Sequence, residues 1–286
     1  MTPDTHTVLV AGADGQLGRA IVDRFGSAAS VYALNRRDLD ITDAAAVAAA
    51  VARLRPTLII NCAAFNDVDG AQQQQTLAFA VNGLAPGILA RAAQAVEAAF
   101  VHYSTDFVFA GREDRAWTED DAPEPLGVYA QSKLVGEWMA RDCARHYTMR
   151  VESLFGGALR RSTIDRIVTS LGAGRPMHLF HDRTVSPSFV DDVAAATWQL
   201  VSNRADPGLY HCVNTGATTW LAVGQTVART LGLDESLIVP TAVAGVVMKA
   251  PRPQYAVLSN EKLSRAGVVM PRWEDAIARY LSRLPA

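Results

Sequence analysis

The stretch VLVAGADGQLG, from Val8 to Gly18, passes from an apolar run directly into a turn with three glycines. An apolar strand followed by G-x-x-G-x-x-G and then by a helix is typical of a dinucleotide-binding turn. Gly12 would permit the tight turn, Gly15 would let the backbone approach a pyrophosphate, and Gly18 would let the helix pack on the strand. A plain glycine turn is the alternative. The position at the first strand-to-helix junction favours the cofactor site.

Short β-branched runs and alanine-rich stretches alternate after this turn. Strands are predicted in THTVLVAG, SVYALN, PTLIINCAAF and AAFVHYSTDFVF, and helices over 15–26, 43–54 and near 70–97. Apolar strands separated by helices indicate a parallel sheet that is covered on both faces. The sequence therefore predicts a doubly wound, Rossmann-like α/β fold with a smaller α+β substrate-binding domain. The expected dinucleotide-binding domain is 1–152 with a return segment near 189–214, and the expected substrate domain is 153–188 and 215–286.

The loop NRRDLD follows the second strand, where the ribose of a dinucleotide is normally selected. An NAD site usually has an acidic residue at the strand end, which accepts from the ribose 2′-hydroxyl. Here Asn35 replaces the acid, and Arg36 and Arg37 supply cations that would pair with a 2′-phosphate. This pattern favours NADPH, with NADH as the alternative. The arginines could instead be solvated, with Asp38 or Asp40 contacting the ribose.

The stretch VYAQSKLVGEWMARDCARH predicts a helix over 128–146, in which Tyr129 and Lys133 are four residues apart and therefore lie on one helix face. Lysine is rare in this chain; the three lysines are Lys133, Lys249 and Lys262. A tyrosine with its ordinary pKa near 10 is a poor proton donor unless a neighbouring cation stabilises the phenolate. Upstream, VHYSTDFVF brings Ser104 and Thr105 to the carboxyl end of a strand, where ligands of open α/β sheets bind. The sequence thus predicts a proton-donating tyrosine near a ligand cleft.

Composition narrows the class of protein. The 286 residues are 49% hydrophobic and 20% charged, with a formal net charge of −2 and scattered basic residues, so neither nucleic acid nor a membrane is an expected partner. The well-separated Cys62, Cys143 and Cys212 indicate a reduced, cytoplasmic chain without disulfides. No apolar run of membrane-spanning length and no signal peptide is expected. His178 and His181 have no acidic partners in register, so no metal site is predicted.

At these residues the chain resembles the extended short-chain dehydrogenase/reductases and, within them, the dTDP-4-dehydrorhamnose reductases. The agreement covers most of the chain, in the blocks GADGQLG, NCAAFNDVDGAQ, AVNGLAPGILARAA, HYSTDFVFAG, PLGVYAQSKLVGE, GLYHCVNTGATTW and APRPQYAVL. The resemblance implies that Tyr129 is the acid, that Lys133 holds the nicotinamide ribose and lowers the tyrosine pKa, and that Thr105 hydrogen-bonds the substrate carbonyl. Further residues implied at the cofactor are Gln16, Leu17, Asp40, Ile41, Ala63 and Ala64. Those implied at the substrate are Val68, Ser104, Thr105, Tyr129 and Arg252.

The departures from the family pattern fall in the substrate half. The usual SW-x-Y run, which contributes a tryptophan to the sugar pocket, is replaced by RVESLFGG. In DRTVSPS, Arg183 and Ser188 stand where the family has glutamine and threonine, and Ala256 replaces a usual serine. The resemblance therefore implies conserved nucleotide chemistry and an altered sugar pocket.

The reaction expected from these residues is hydride transfer to C4 of a nucleotide-linked 4-keto-6-deoxyhexose, with Tyr129 protonating the oxygen. Two alternatives stay open: a non-catalytic NADP-binding regulatory subunit, and a nucleotide-sugar epimerase or dehydratase that recycles a tightly held NAD⁺. A homodimer is a further expectation. The first alternative is disfavoured because Thr105, Tyr129 and Lys133 are all present, and the second because the acidic ribose selector is absent.

Overall fold

A six-stranded parallel sheet forms the centre of the protein, which is described here from a computed structural model for residues 7–112 and 114–284. The strand order is β10-β5-β4-β3-β1-β2, and every neighbouring pair is parallel. This confirms the predicted doubly wound α/β fold. Thr5 and His6 of the predicted first strand lie outside the described residues, as do the outermost ends of the predicted domains. The sheet strands are β1 Thr7–Ala11, β2 Ser30–Leu34, β3 Leu58–Asn61, β4 Ala99–Thr105, β5 His146–Val151 and β10 Gly208–His211.

Helices cover both faces of the sheet. They are α1 Gln16–Gly26, α2 Ala44–Leu54, α3 Val68–Ala71, α4 Gln75–Ala78, α5 Ala85–Ala95, α6 Val128–Ala140, α7 Thr163–Gly172, α8 Val190–Ser202, α9 Trp220–Leu231, α10 Glu261–Arg265 and α11 Trp273–Leu281. Helix α1 packs against α8 on one face, whereas α5 packs against α2 and α6 on the other. The predicted helices over 15–26 and 43–54 are confirmed as α1 and α2. The side chain of Asp43 fixes the start of α2 by accepting from the backbone N–H groups of Ala45 and Ala46.

The predicted helices near 70–97 are confirmed as α3, α4 and α5. Helix α4 runs into a π-helical segment, Phe79–Leu84, before α5 begins. The combined stretch Gln75–Ala95 has 21 residues and a mean hydropathy of 1.3, so it reaches membrane-spanning length by composition. This corrects the expectation that no apolar segment is that long. Half of its most apolar window is buried, and its packing on α2 and α6 assigns the apolar side chains to the core.

The chain beyond the sheet builds smaller units around the strand ends. Short strand pairs join β6 with β9, β7 with β12 and β8 with β11; their ranges are β6 Leu154–Phe155, β7 Met177–Phe180, β8 Thr184–Val185, β9 Ser188–Phe189, β11 Thr218–Thr219 and β12 Ile238–Thr241. The segment near 189–214 supplies α8 and the outer sheet strand β10. The exact domain bounds remain a prediction. These units overhang the carboxyl ends of β3, β4 and β5 and thereby create a cleft.

Candidate active site

A cavity of about 830 Å³ lies between the carboxyl ends of the sheet strands and the overhanging segments. Many of the predicted site residues line it: Gly15, Gln16, Leu17, Ala63, Ala64, Val68, Ser104, Thr105, Tyr129, Lys133 and Arg252. Six others do not reach its wall: Gly12, Gly18, Asn35, Arg36, Asp40 and Ile41. The structure therefore brings the phenol, the ammonium and the glycine turn together at one site.

The glycine turn has backbone geometry that other residues could not adopt. Gly12 has φ +76°, and a Cβ there would lie 2.5 Å from the backbone nitrogen of Ala63. A Cβ on Gly18 would lie 2.2 Å from the carbonyl oxygen of Gly12, so α1 can approach the turn only because this residue is glycine. Gly15 precedes the first turn of α1 and lines the cavity.

The first turn of α1 also contains an unused donor. Nε2 of Gln16 is buried and has no hydrogen-bond partner among the described residues. Gly15 beside it presents backbone without a side chain to the cavity. A buried donor at a helix N-terminus, next to accessible backbone, fits the phosphates and ribose of a dinucleotide.

The loop after β2 is held by its own polar side chains. Asn35 accepts from the backbone N–H of Arg37 at 2.8 Å, and Asp38 accepts from the N–H of Asn35 at 3.0 Å. Asp40 accepts from the N–H and hydroxyl of Thr42, and these bonds lower the pKa of Asp40. Arg36 and Arg37 are exposed. The loop is thus ordered while both guanidinium groups extend into solvent.

Tyr129 and Thr105 meet at the cavity wall from two elements. Tyr129 lies in the first turn of α6 and Thr105 at the end of β4; both line the cavity, and hydrogen bonding with Thr105 acts to lower the pKa of Tyr129. Thr105 also accepts from the N–H of Phe107 at 3.2 Å and donates to Oδ1 of Asp106 at 2.9 Å. Burial, with a further contribution from the charge of Asp106, raises the pKa of Tyr129 above its usual value. The phenol is therefore fully protonated at neutral pH and can act as an acid.

Lys133 is one helical turn from Tyr129 and is only 4% exposed. Its Nζ donates to the carbonyl oxygen of Tyr103 at 2.5 Å. Burial lowers the pKa of Lys133 to about 8, and the charge of Glu137 opposes this shift. Both side chains line the cavity, as the four-residue spacing predicts.

A buried network supports this wall from behind. Ser104 donates to Oε1 of Glu137 at 2.5 Å, so its hydroxyl points into the network although the residue lines the cavity. Glu137 also pairs bidentately with Arg150, with both contacts at 2.8 Å. The pair is buried on both sides. Ser104 was predicted to contact the substrate, but its single hydroxyl proton is donated to Glu137.

The cavity wall is rich in cations. Arg166, Arg183, Lys249 and Arg252 line it, together with His178. The overall net charge of −2 gives no hint of this local excess, because it arises only when distant segments come together. Such a wall suits an anionic ligand.

Lys249 and Arg252 lie in the segment that follows β12, and this segment is bonded to Asp69 of α3. Arg252 forms an ion pair with Asp69 at 3.0 Å, and Asp69 also accepts from the N–H of Ala250 at 3.1 Å. The bond anchors residues 246–249 over the cavity, where Val247 is fully exposed. Arg252, predicted at the substrate, therefore reaches the site as part of an ion pair.

The segment RVESLFGG reaches the cavity wall. Ser153 and Leu154 of RVESLFGG line the cavity where the resemblance implies a tryptophan. Trp220, which begins α9, is packed in the core and also lines the cavity.

Sequence reasoning missed two buried carboxyl groups at the site. Asp106 and Glu152 directly follow β4 and β5, and both are almost inaccessible to solvent. Asp106 could have been found, since it follows Thr105 at a strand end. Glu152 could not, because its proximity depends on the register between two strands.

Together, the parallel sheet, the glycine turn and the tyrosine-lysine pair define an NAD(P)-dependent oxidoreductase of the short-chain dehydrogenase/reductase type. Within this class the chain belongs to the RmlD substrate binding domain family, whose pattern matches residues 6–285.

Individual relatives agree over nearly the whole chain. The protein is 36% identical to a dTDP-4-dehydrorhamnose reductase of Streptomyces griseus, covering 96% of this chain and 93% of the relative. Its structure matches a dTDP-4-dehydrorhamnose reductase of Clostridium acetobutylicum with TM-score 0.92 and 30% identity, covering 96% and 98% of the two chains. It matches a Bacillus anthracis dTDP-4-dehydrorhamnose reductase in complex with NADP with TM-score 0.94 and 26% identity, covering 98% and 100%.

Proposed function

We propose that the protein reduces the 4-keto group of a nucleotide-linked 4-keto-6-deoxy sugar with NADPH, as a dTDP-4-dehydrorhamnose reductase does. The observation that carries this proposal is the meeting of Thr105, Tyr129 and Lys133 in the same cavity as the glycine turn. The identity of the relatives supports the substrate class.

The cofactor would be held along the ends of β1, β2 and β3. Gly15, Gln16 and Leu17 would bind the pyrophosphate, Ala63 and Ala64 would flank the adenosine half, and Arg36 would pair with the 2′-phosphate. Gly12 and Gly18 would act through the turn they shape, and Asn35, Asp40 and Ile41 through the loop around the adenine. When bound, NADPH supplies the hydride that reduces the ketone carbon.

The protein's own contribution is a positioned proton and a stabilised oxygen. Tyr129 would protonate the ketone oxygen, and Thr105, already hydrogen-bonded with Tyr129, would fix that oxygen beside it. Lys133 is buried within one helical turn of Tyr129, so its charge favours the phenolate that forms. Its Nζ would also contact the nicotinamide ribose.

The cationic wall of the cavity would bind the diphosphate of the nucleotide sugar. Arg166, Lys249 and Arg252 would pair with phosphate oxygens, since guanidinium and ammonium groups are the usual partners of phosphate. Val68, near Asp69 in α3, would pack against the sugar or base.

The two other functions make different predictions for the purified protein. An epimerase or dehydratase should retain its nucleotide through purification, whereas a reductase should exchange it. A regulatory subunit should bind NADP but leave the ketone unreduced. A homodimer and a cytoplasmic location stay predictions from the sequence, and light scattering tests the first.

Tyr129→Phe tests the proposal directly. It removes only the acid, so ketone reduction should fall by about 100- to 10,000-fold while NADPH affinity stays nearly unchanged. Tyr32→Phe, at an exposed tyrosine of β2, is the matched control and should retain full activity. A Tyr129→Phe variant that turns over at the wild-type rate would remove Tyr129 from the mechanism.

A further inference from the structure

Two buried carboxyl groups follow neighbouring strands at the carboxyl edge of the sheet. The register pairs Thr105, the last residue of β4, with Val151, the last residue of β5, and the residue directly after each strand is acidic: Asp106 and Glu152. They are 2% and 1% exposed. Burial raises the pKa of both carboxyl groups, and the charge of Asp106 raises that of Glu152 further, so the pair retains a proton near neutral pH.

Each carboxyl group uses only one of its oxygens. Oδ1 of Asp106 accepts from the hydroxyl of Thr105 at 2.9 Å, and Oε2 of Glu152 accepts from the N–H of Ser186 at 2.7 Å. Oδ2 of Asp106 and Oε1 of Glu152 are buried and have no hydrogen-bond partner within the described part of the chain. Orphaned buried oxygens call for an explanation, and a functional proton is one.

Arg183 supplies the counter-charge. Its side chain is 9% exposed, its Nε donates to the carbonyl oxygen of Pro253 at 3.1 Å, and its guanidinium group lies 5.7 Å from the ring centre of Phe107. The positive charge lowers the pKa of both Asp106 and Glu152, against the larger effect of burial. One cation thus balances one of the two carboxylates.

Thr105 connects the carboxyl pair to the phenol. Its hydroxyl donates to Oδ1 of Asp106 at 2.9 Å, it lines the same cavity as Tyr129, and its hydrogen bonding acts to lower the pKa of Tyr129. A hydroxyl has one proton and two lone pairs, so it can accept a proton from one neighbour while it gives its own to the other. This geometry forms a continuous path from Asp106 to Tyr129.

We propose that Asp106 and Glu152, balanced by Arg183, form a proton reservoir that reprotonates Tyr129 through Thr105 after each turnover. This inference rests on the proposed ketone reduction. Asp106 and Glu152 supply protons to a catalytic residue and need not touch the substrate themselves.

The proton balance closes in three moves. The phenol O–H bond of Tyr129 breaks as its proton goes to the ketone oxygen, which leaves a phenolate. The Thr105 hydroxyl gives its proton to the phenolate and takes the carboxyl proton of Asp106. Asp106, now a carboxylate, regains a proton from water in the cavity, so each turnover consumes one solvent proton, and the two electrons come with the cofactor's hydride.

The protonation of the pair at neutral pH agrees with its surroundings. Burial raises the pKa of Asp106 to about 7 and that of Glu152 well above its usual value. Asp106 is faced by Glu152, Arg183 and Tyr129, and Arg183 is faced in turn by Arg252. Because the reservoir must be protonated, its supply falls as the pH rises through about 7.

The first test needs no substrate. Infrared difference spectra of the apoprotein between pH 5.5 and 8.5 should contain a carboxylic acid band that is lost with a midpoint near neutrality and is absent from Asp106→Asn. Arg183→Gln should move the midpoint to higher pH, because the positive charge of Arg183 lowers the pKa of Asp106. Asp234→Asn, at a solvent-exposed carboxylate, is the control and should leave this band unchanged. Identical titrations of wild type and Asp106→Asn would overturn the reservoir.

The second test separates proton resupply from chemistry. In a first turnover Tyr129 already has its proton, so Asp106→Asn should lower the steady-state rate at least 10-fold more than the first-turnover rate. The steady-state pH profile of Arg183→Gln should shift in the same direction as its infrared midpoint. Equal losses in both phases would refute the path, since a residue that only shapes the site affects both. If wild type reduces no 4-keto sugar nucleotide, the proposed function fails, and the infrared titration alone decides whether the reservoir exists.

Discussion

We expect the choice between NADPH and NADH to depend on two arginines, because only NADPH has a 2′-phosphate with which they can pair. Arg36 and Arg37 are exposed in a loop that Asn35 and Asp38 hold in place through backbone hydrogen bonds. Replacing both with alanine should therefore remove charge without unfolding the loop. NADH has no 2′-phosphate, so its binding should hardly change.

The size of the effect follows from the exposure of the two side chains. A charge-assisted contact at an exposed site contributes at most about 1 kcal/mol, because water and salt screen it. Two such contacts sum to about 2 kcal/mol, which corresponds to a roughly 30-fold loss of preference for NADPH over NADH. The loss should shrink as the salt concentration rises, since the screening length falls to about 3 Å at 1 M salt.

The measurement is kcat/KM with each cofactor before and after the double substitution. Arg53→Ala is the control: this exposed arginine lies in the last turn of α2, and the helix spans about 16 Å from the loop side to that turn. Equal losses for NADPH and NADH, or no loss for either, would refute the assignment. Asp38 or Asp40 would then be the ribose contact, and use of both cofactors would replace NADPH preference.

Two further substitutions probe the wall behind the site. Lys133→Met should both weaken NADPH binding and shift the pH profile of activity to higher pH, because this one buried cation contacts the ribose and stabilises the phenolate. Lys262→Met is the matched control. A loss of rate without either of these two changes would mean that Lys133 has only a structural role. Glu137→Gln should lower the free energy of unfolding by about 3 kcal/mol in urea titrations, because it leaves the buried guanidinium of Arg150 without its counter-charge. Asp142→Asn, which breaks an exposed ion pair, should cost less than about 1 kcal/mol, and equal losses for the two variants would contradict this account.

Local patterns were sufficient to predict the nucleotide half of the molecule. The glycine turn, the strand before it and helices α1 and α2 all follow from periodicity and turn chemistry within a few residues. The same reasoning extended the helix of Tyr129 over 128–146, whereas α6 ends at Ala140. The residues that follow have helical composition, but Cys143 is drawn into the core beneath Ala98, and this tertiary contact overrides the local preference.

The sugar half could not be predicted in the same way, because its chemistry depends on long-range register. Asp106 and Glu152 are 46 positions apart in sequence and become neighbours only through the pairing of β4 with β5. Arg183 arrives from the turn between β7 and β8. The sequence marked Arg183 as a departure from the family, but no local signal connects it to the two acids.

The two ends of the cleft use charge in physically different ways, and this difference makes their roles separable. Arg36 and Arg37 act across solvent, so added salt should weaken their selection of NADPH. Asp106, Glu152 and Arg183 are buried, and mobile ions cannot enter between them, so their mutual interaction should be nearly independent of salt. A salt series should therefore change KM for NADPH while leaving the midpoint of the carboxyl titration in place. A common salt dependence of both quantities would mean that mobile ions reach the acid pair, which would contradict its burial.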